Sequence, residues 1–279
     1  ADVRAVVDQA VARFGAENII VAFDIDNTTL ATDQDIGSEH WFLWQQDMIK
    51  AADFNHGAVA KTVADALRLQ GYIYTVSTMH ATEARIAGDV KELAQRGVRF
   101  AAVTSRNLDV RDATAREFVR AGFDLTAVAL GPTGGFAGSY LPYDPAHPQA
   151  YGLTRDDITR FGLTEPRPVI FENGVLYTQG QHKGSMLKAL LAKTGVRTKA
   201  IVYFDDRAHH LEGVQQAFAE RPEAIYTVQY QHELPRIEAF VAGDKTKVIN
   251  QWCAFALGLS AVADVPVCAP SAAAKARRP

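Results

Sequence analysis

The sequence predicts an α/β protein, a doubly wound, Rossmann-like parallel sheet interrupted by two insertions. Three observations carry this. Five short apolar runs lie along the chain, Ile19–Phe23, Val98–Val103, Pro168–Phe171, Ala200–Phe204 and Ala224–Val228. They are continuous rather than alternating, as strands covered on both faces are. Stretches with helical periodicity separate them, and strand–helix alternation is the signature of this class. Acids and hydroxyls gather just past the runs, at the sheet edge where such folds bind ligands.

The helices follow in order. Ile86, Val90 and Leu93 recur at helical spacing before Gly97, and Val110, Thr114, Phe118 and Ala121 before Gly122. Leu187, Leu190, Leu191 and Thr194 do so before Gly195, and Leu211, Val214 and Phe218 follow the fourth run. A glycine just past a helical stripe is a natural stop. Asn173–Gly174, inside Phe171–Tyr177, signals a hairpin. Two stretches break the alternation. Residues 31–80 hold the cluster His40–Trp41–Phe42–Leu43–Trp44 and a helix-like run over Ala58–Gln70, which predicts a small helical cap. Residues 124–167 include "GPTGGFAGSYLPYDP", a second, loop-rich insertion without the G-x-G-x-x-G spacing of a dinucleotide site. The expected organisation is therefore a core of 1–30 and 81–265, a cap of 31–80, and a loose tail of 266–279.

At 279 residues and 48% hydrophobic content, the chain can bury a core of this size. Its 29 basic and 32 acidic residues give a net charge of −3, with no basic stripe. Nucleic acid is not an expected partner. No apolar run approaches the roughly 20 residues of a membrane span. The chain opens Ala1–Asp2–Val3 without methionine, which reads as an exported chain freed of its signal, although a trimmed chain reads the same. Cys253 and Cys268 either pair in an oxidising compartment or stay free; the sequence leaves both open. The expectation is a periplasmic or secreted protein, with a cytoplasmic location still open.

The chemistry lies just beyond the runs. The first ends in Asp24–Ile25–Asp26–Asn27–Thr28, the second in Thr104–Ser105–Arg106 and the fourth in Asp205–Asp206, while Lys183 opens a helix after the hairpin. Four carboxylates converging on one sheet edge need compensating positive charge. A hard cation with oxygen ligands supplies it, and a lysine and a hydroxyl suit a phosphoryl group beside it. Trp41 and Trp44 are three apart, on one face of a helix, so with His40 they either pack the cap or meet substrate. His209 and His210 have no Cys or His partner at zinc-ligand spacing and are read as supports.

Taken together, an apolar run into DxDxT, a strand ending in Thr/Ser, a downstream lysine and an apolar run into Asp–Asp resemble the haloacid-dehalogenase-like superfamily of phosphohydrolases. The resemblance spans residues 19 to about 230, in the superfamily's order, and looks most like its secreted bacterial acid phosphatases and related uncharacterised proteins. It implies a Mg²⁺-dependent phosphomonoesterase acting on a small phosphorylated substrate. Asp24 would be the nucleophile and Asp26 the general acid–base. Thr28 would brace the loop, Thr104, or its rival Ser105, would hold a phosphoryl oxygen, and Lys183 would offset charge. Asp24, Asp26 (through its carbonyl), Asp205 and Asp206 would hold the metal. Asp26 argues against dehalogenation, since a halide leaving group needs no proton. Arg207 and His210 depart from the small polar residue and asparagine of related phosphatases, and this departure keeps alternatives open. These are an inactive binding or effector protein, or phosphoryl transfer or phosphonate cleavage on the same scaffold.

Overall fold

Five consecutive apolar residues, Ile19–Phe23, are all buried and form β1, near the middle of a six-stranded sheet. The structure, a computed structural model, describes residues 2–268. The strands after β1 are β2 (Leu30–Thr32), β3 (Met79–Ala81), β4 (Arg99–Thr104), β5 (Ile170–Glu172), β6 (Val175–Tyr177), β7 (Ala200–Asp205) and β8 (Ala224–Gln229). The described helices are α1 (Val3–Phe14), α2 (Glu39–Lys50), α3 (Val63–Val76), α4 (Ile86–Gln95), α5 (Arg111–Arg120), α6 (Arg155–Arg160), α7 (Lys183–Thr194), α8 (Ala208–Phe218), α9 (Leu234–Ala242) and α10 (Thr246–Leu259). The sheet order is β5-β6-β4-β1-β7-β8, while β2 and β3 make a separate two-stranded ribbon. All neighbours in the large sheet are parallel except β5 with β6.

The expected strand Pro168–Phe171 thus differs from its prediction. It becomes β5, a short antiparallel edge, and β6 lies parallel to β4 instead. The hairpin signal accounts for this, because Asn173 (φ 49°) and Gly174 (φ 80°) turn the chain straight back. The loop-rich insertion then covers the new edge. Phe136 N–H donates to Phe171 O at 2.9 Å, and Tyr140 and Val169 exchange backbone bonds at 3.0 and 2.8 Å. Covering an edge removes a row of unpaired backbone groups. Gly135 is needed there, since a Cβ would lie 2.1 Å from Phe171 O.

The described chain divides into two units. The first takes the chain up to Ala31 and Met79–Leu234; the second takes Thr32–Thr78 and the chain from Pro235 onward. The sequence had assigned only 31–80 to the cap, and α10 to the core. The apolar faces decide otherwise, because Trp41, Val59, Leu69 and Ile73 close their core with Val248 and Trp252. The helix expected at Ala58–Gln70 runs instead over Val63–Val76, with Thr62 accepting Asp65 N–H as its cap.

In the first unit, Ile20, Ala22, Val103, Ile201 and Tyr203 pack with Leu187, Leu190 and Val214. Helix α7 is buried along nine consecutive residues, Lys183 to Leu191. That run includes a second lysine, Lys188, whose Nζ meets Asp157 Oδ2 of α6 at 2.6 Å. Thr154 and Asp157 form a capping box, so the insertion is pinned to α7 by a satisfied pair. In the second unit, Cys253 and Cys268 form a disulfide, with Cα atoms 5.3 Å apart. Residues 266–268 of the expected loose tail are therefore tethered, and 269–279 lie outside the described residues. Among those described, no helix is long and apolar enough to cross a membrane.

Two predictions follow from these ties. The disulfide joins residues 15 apart, for which chain-entropy estimates give about 3 kcal/mol. The double substitution Cys253→Ser, Cys268→Ser should lower the calorimetric midpoint of the unit holding α10, and an unchanged scan would refute this. Burial pushes the Asp157 carboxyl up, but Lys188 and the Thr154 amide outweigh it and hold the group below its ordinary value. The unfolded chain then binds the proton first, so this stabilisation is complete above the unfolded value of about 3.9 and fades below it. Urea midpoints measured against pH should show a shallower acid limb for Asp157→Asn than for the parent.

Candidate active site

Phe23 lies in register with Ala102 of β4 and Phe204 of β7. Asp24 and Asp205, each one residue further on, therefore emerge side by side at the carboxyl edge. The Asp24 N–H donates to Phe204 O at 2.9 Å, which carries the pairing past the last strand residue. Both side chains are buried, and Lys183 stands between them. Its Nζ is 2.6 Å from Asp24 Oδ1 and 2.8 Å from Asp205 Oδ2. The lysine is the first residue of α7, and the helix start is fixed by His182, whose Nδ1 accepts Ser185 N–H. Phe161 stacks on the His182 ring at 3.8 Å and holds it there.

Burial disfavours the ammonium, but Asp205 and Asp24 outweigh it and hold Lys183 well above its ordinary value. For Asp205, burial is opposed by Lys183 and by the His210 hydrogen bond, and its carboxyl is brought down to about 2. His210 Nδ1 lies 3.0 and 3.2 Å from the two Asp205 oxygens, and Arg207 N–H donates to Oδ1 at 3.0 Å. Asp24, Asp205 and His210 each offer a ligand atom, all within 4.8 Å of one another.

The turn after β1 is drawn tight. Thr28, Thr29 and Leu30 all direct their N–H groups to Ile25 O, and Asn27 takes a left-handed conformation at φ 58°. Asparagine tolerates this better than other non-glycine residues. The expected brace, Thr28, is not the one found. The Thr29 hydroxyl donates to Asp24 O at 3.1 Å, whereas the Thr28 hydroxyl is buried without a hydrogen-bond partner. Thr82 holds the turn from outside through Thr28 O at 2.7 Å and is itself met by the Tyr230 hydroxyl at 3.1 Å.

Asp26 is not among the three clustered ligands. Arg106 grips its carboxylate with two bonds, Nε at 3.0 Å and Nη2 at 2.9 Å, while Nη1 reaches Thr114 at 2.8 Å. The bidentate geometry is that of a strong, orienting pair. Thr104 is fully buried. Its Oγ1 accepts Arg106 N–H, and its carbonyl accepts two bonds from Thr178. Ser105 is exposed beside it. Asp206 lies by Asn27, whose Nδ2 is 3.4 Å from Oδ2.

The expected aromatic contacts fall within the second unit. Trp41 is wholly buried in that unit's core, so packing accounts for it without a substrate. Trp44 and His40 both pack on Phe240, and His40 Nε2 pairs with Asp35 at 3.3 Å. Two residues of the site escaped sequence reasoning as participants. Arg106 was visible only as a polar residue two places past a strand, and His210 was read as a support.

A mostly parallel α/β sheet with a lysine-bridged carboxylate centre at its carboxyl edge defines the class. The chain belongs to the DUF2608 family, proteins of unknown function, whose family model matches residues 1–261. No curated protein and no solved structure matches it.

Removing the lysine should expose the tension in this centre. Lys183→Met leaves two buried carboxylates without their cation, which typically costs about 3–5 kcal/mol. Denaturant unfolding should register that loss, and a loss under 1 kcal/mol would show the acids to be adequately solvated without Lys183.

Proposed function

We propose that the protein is a divalent-cation-dependent phosphohydrolase of the haloacid-dehalogenase type, with a doubly wound core, acting on phosphate monoesters through Asp24. The observation that carries this reading is the buried Asp24–Lys183–Asp205 bridge at the carboxyl edge. It keeps a carboxylate ionised and fixed at the place where a parallel sheet offers ligands.

The donor set fits a divalent cation. Asp24 and Asp205 supply carboxylate oxygens, and one ammonium does not balance two buried acids. The Thr28 hydroxyl in the same turn is buried without a hydrogen-bond partner. When bound, the cation would withdraw charge from phosphoryl oxygens and shield the approach of one anion to another. Mg²⁺ is the expectation that the sequence resemblance supplies.

The chain's own residues divide the remaining work. An Asp24 oxygen attacks phosphorus, forming an aspartyl phosphate as the ester P–O bond breaks. Asp26, having taken up a proton from solvent, would give it to the leaving oxygen, so the product departs as an alcohol. Water then attacks phosphorus while Asp26 takes its proton back; the P–O bond to Asp24 breaks and phosphate leaves. Arg106 holds both Asp26 oxygens, yet each keeps a second lone pair on which the proton can travel. Thr104, or the exposed Ser105 hydroxyl beside it, and Lys183 would meet phosphoryl oxygens. A disulfide in the second unit accords with an exported protein.

The test uses aryl and alkyl phosphates with Mg²⁺, with and without a chelator. Asp24→Asn should abolish turnover of both. Asp26→Asn should slow alkyl esters by about 10²–10⁴-fold, as loss of a general acid does. In the first turnover, before the water attack common to both esters, it should slow release of nitrophenol far less, because that leaving group needs no proton. Undiminished turnover by Asp24→Asn would end the aspartyl-phosphate reading, and equal first-turnover losses on both esters would remove Asp26 as the general acid.

A further inference from the structure

We propose that His210 is a direct nitrogen ligand of the cation seat, and that it turns the seat toward borderline transition-metal divalents such as Zn²⁺ and Co²⁺ rather than Mg²⁺. The inference deepens the cation seat of the preceding reading and rests on it for the seat alone, not for hydrolysis.

The ligand set is the first ground. Among the described residues, the side-chain donors that come within reach of one another are two carboxylates and one imidazole, all within 4.8 Å. Of the other expected oxygen ligands, Asp26 would serve through its backbone carbonyl, and the Asp206 side chain is not among the clustered three. Asp26 is turned to Arg106 through both oxygens, and Asp206 neighbours Asn27. Mg²⁺ demands oxygen ligands in near-ideal octahedral geometry, whereas imidazole suits zinc, iron, nickel and copper. A mixed nitrogen–oxygen set therefore discriminates in the opposite sense from the expected one.

The placement of the ring is the second ground. His210 sits in the first turn of α8, and its N–H donates to Arg207 O at 3.1 Å. Arg207 N–H in turn binds Asp205 Oδ1, so ring and carboxylate are set by one short backbone segment. A neutral imidazole has one N–H and one bare nitrogen. If the bare Nδ1 faces Asp205, two acceptors oppose each other at 3.0 Å, and a cation between them relieves the repulsion. If Nδ1 carries the proton, Nε2 is the bare nitrogen. Charge is the third ground: Asp24 and Asp205 carry two negative charges, Lys183 returns one positive, and Arg106 is already matched to Asp26.

The experiment loads the intact chain with Co²⁺ and reads cobalt X-ray absorption for the outer-shell scattering of a bound imidazole. Zn²⁺ and Mg²⁺ affinities are measured alongside by calorimetry, without substrate. The parent should show the imidazole pattern and bind Zn²⁺ more tightly than Mg²⁺. His210→Gln should lose the pattern and at least 10- to 100-fold of its Zn²⁺ affinity, the loss typical even of a group that only supports a ligand. Mg²⁺ affinity should change much less. The exposed neighbour variant His209→Gln should behave as the parent.

An oxygen-only cobalt shell in the parent overturns the proposal, as does a pattern that survives His210→Gln. Equal losses for both metals also overturn it, leaving His210 as an orienting partner of Asp205. The parent spectrum decides even if His210→Gln fails to fold. Because no substrate is present, an absence of phosphatase activity leaves this result standing. Conversely, a seat that proves Mg²⁺-selective leaves the hydrolytic reading intact.

Discussion

One ammonium group holds the carboxyl edge together. Lys183 places a positive charge between two buried acids that neighbouring strands deliver side by side. Without it, Asp24 and Asp205 would repel each other where water cannot screen them. Much of the surrounding structure keeps that nitrogen in position. Helix α7 is buried along its first nine residues, His182 fixes its first turn, and the pair between Lys188 and Asp157 ties its middle to the insertion. The insertion thus acts as a buttress for the helix that carries the lysine.

The backbone around the acids is over-determined in a similar way. Three amides converge on one carbonyl, Asn27 accepts a left-handed conformation, and Thr29 binds the carbonyl of Asp24. Such constraint costs backbone freedom, and it fixes where the Asp24 side chain leaves the chain. Asp26, two residues on, is fixed by different means. A guanidinium from the end of β4 grips it, so the two aspartates of one motif answer to different neighbours.

Much of this was legible in the sequence. The runs that became β1 and β7 were apolar without interruption, those of β4 and β8 apolar but for Arg99 and Thr227, and the register of β1 with β7 carries the acids to one edge. The lysine was legible because a helix stripe began directly after it. What escaped were features that depend on distant partners. Nothing near Pro168–Phe171 says that this strand runs antiparallel; the hairpin turn after it decides that. The span of the second unit was hidden because its core is shared by segments almost 200 residues apart, which no local period records. Thr29 took the bracing role expected of Thr28 for a similar reason, as adjacent identical side chains are told apart only by the turn that points them. Trp41 was left open between packing and contact because aromatic clusters serve cores and binding faces alike.

The divided second unit also sets an order of events during synthesis. Its first segment, Thr32–Thr78, leaves the ribosome long before Val248 and Trp252 exist, so its apolar side chains must wait without a core. The first unit has all its strands once β8 has emerged and can close while the other is incomplete. A nascent chain stalled between about Leu234 and Lys245 would therefore carry a finished sheet and an exposed greasy segment together. That intermediate is the one a chaperone would meet.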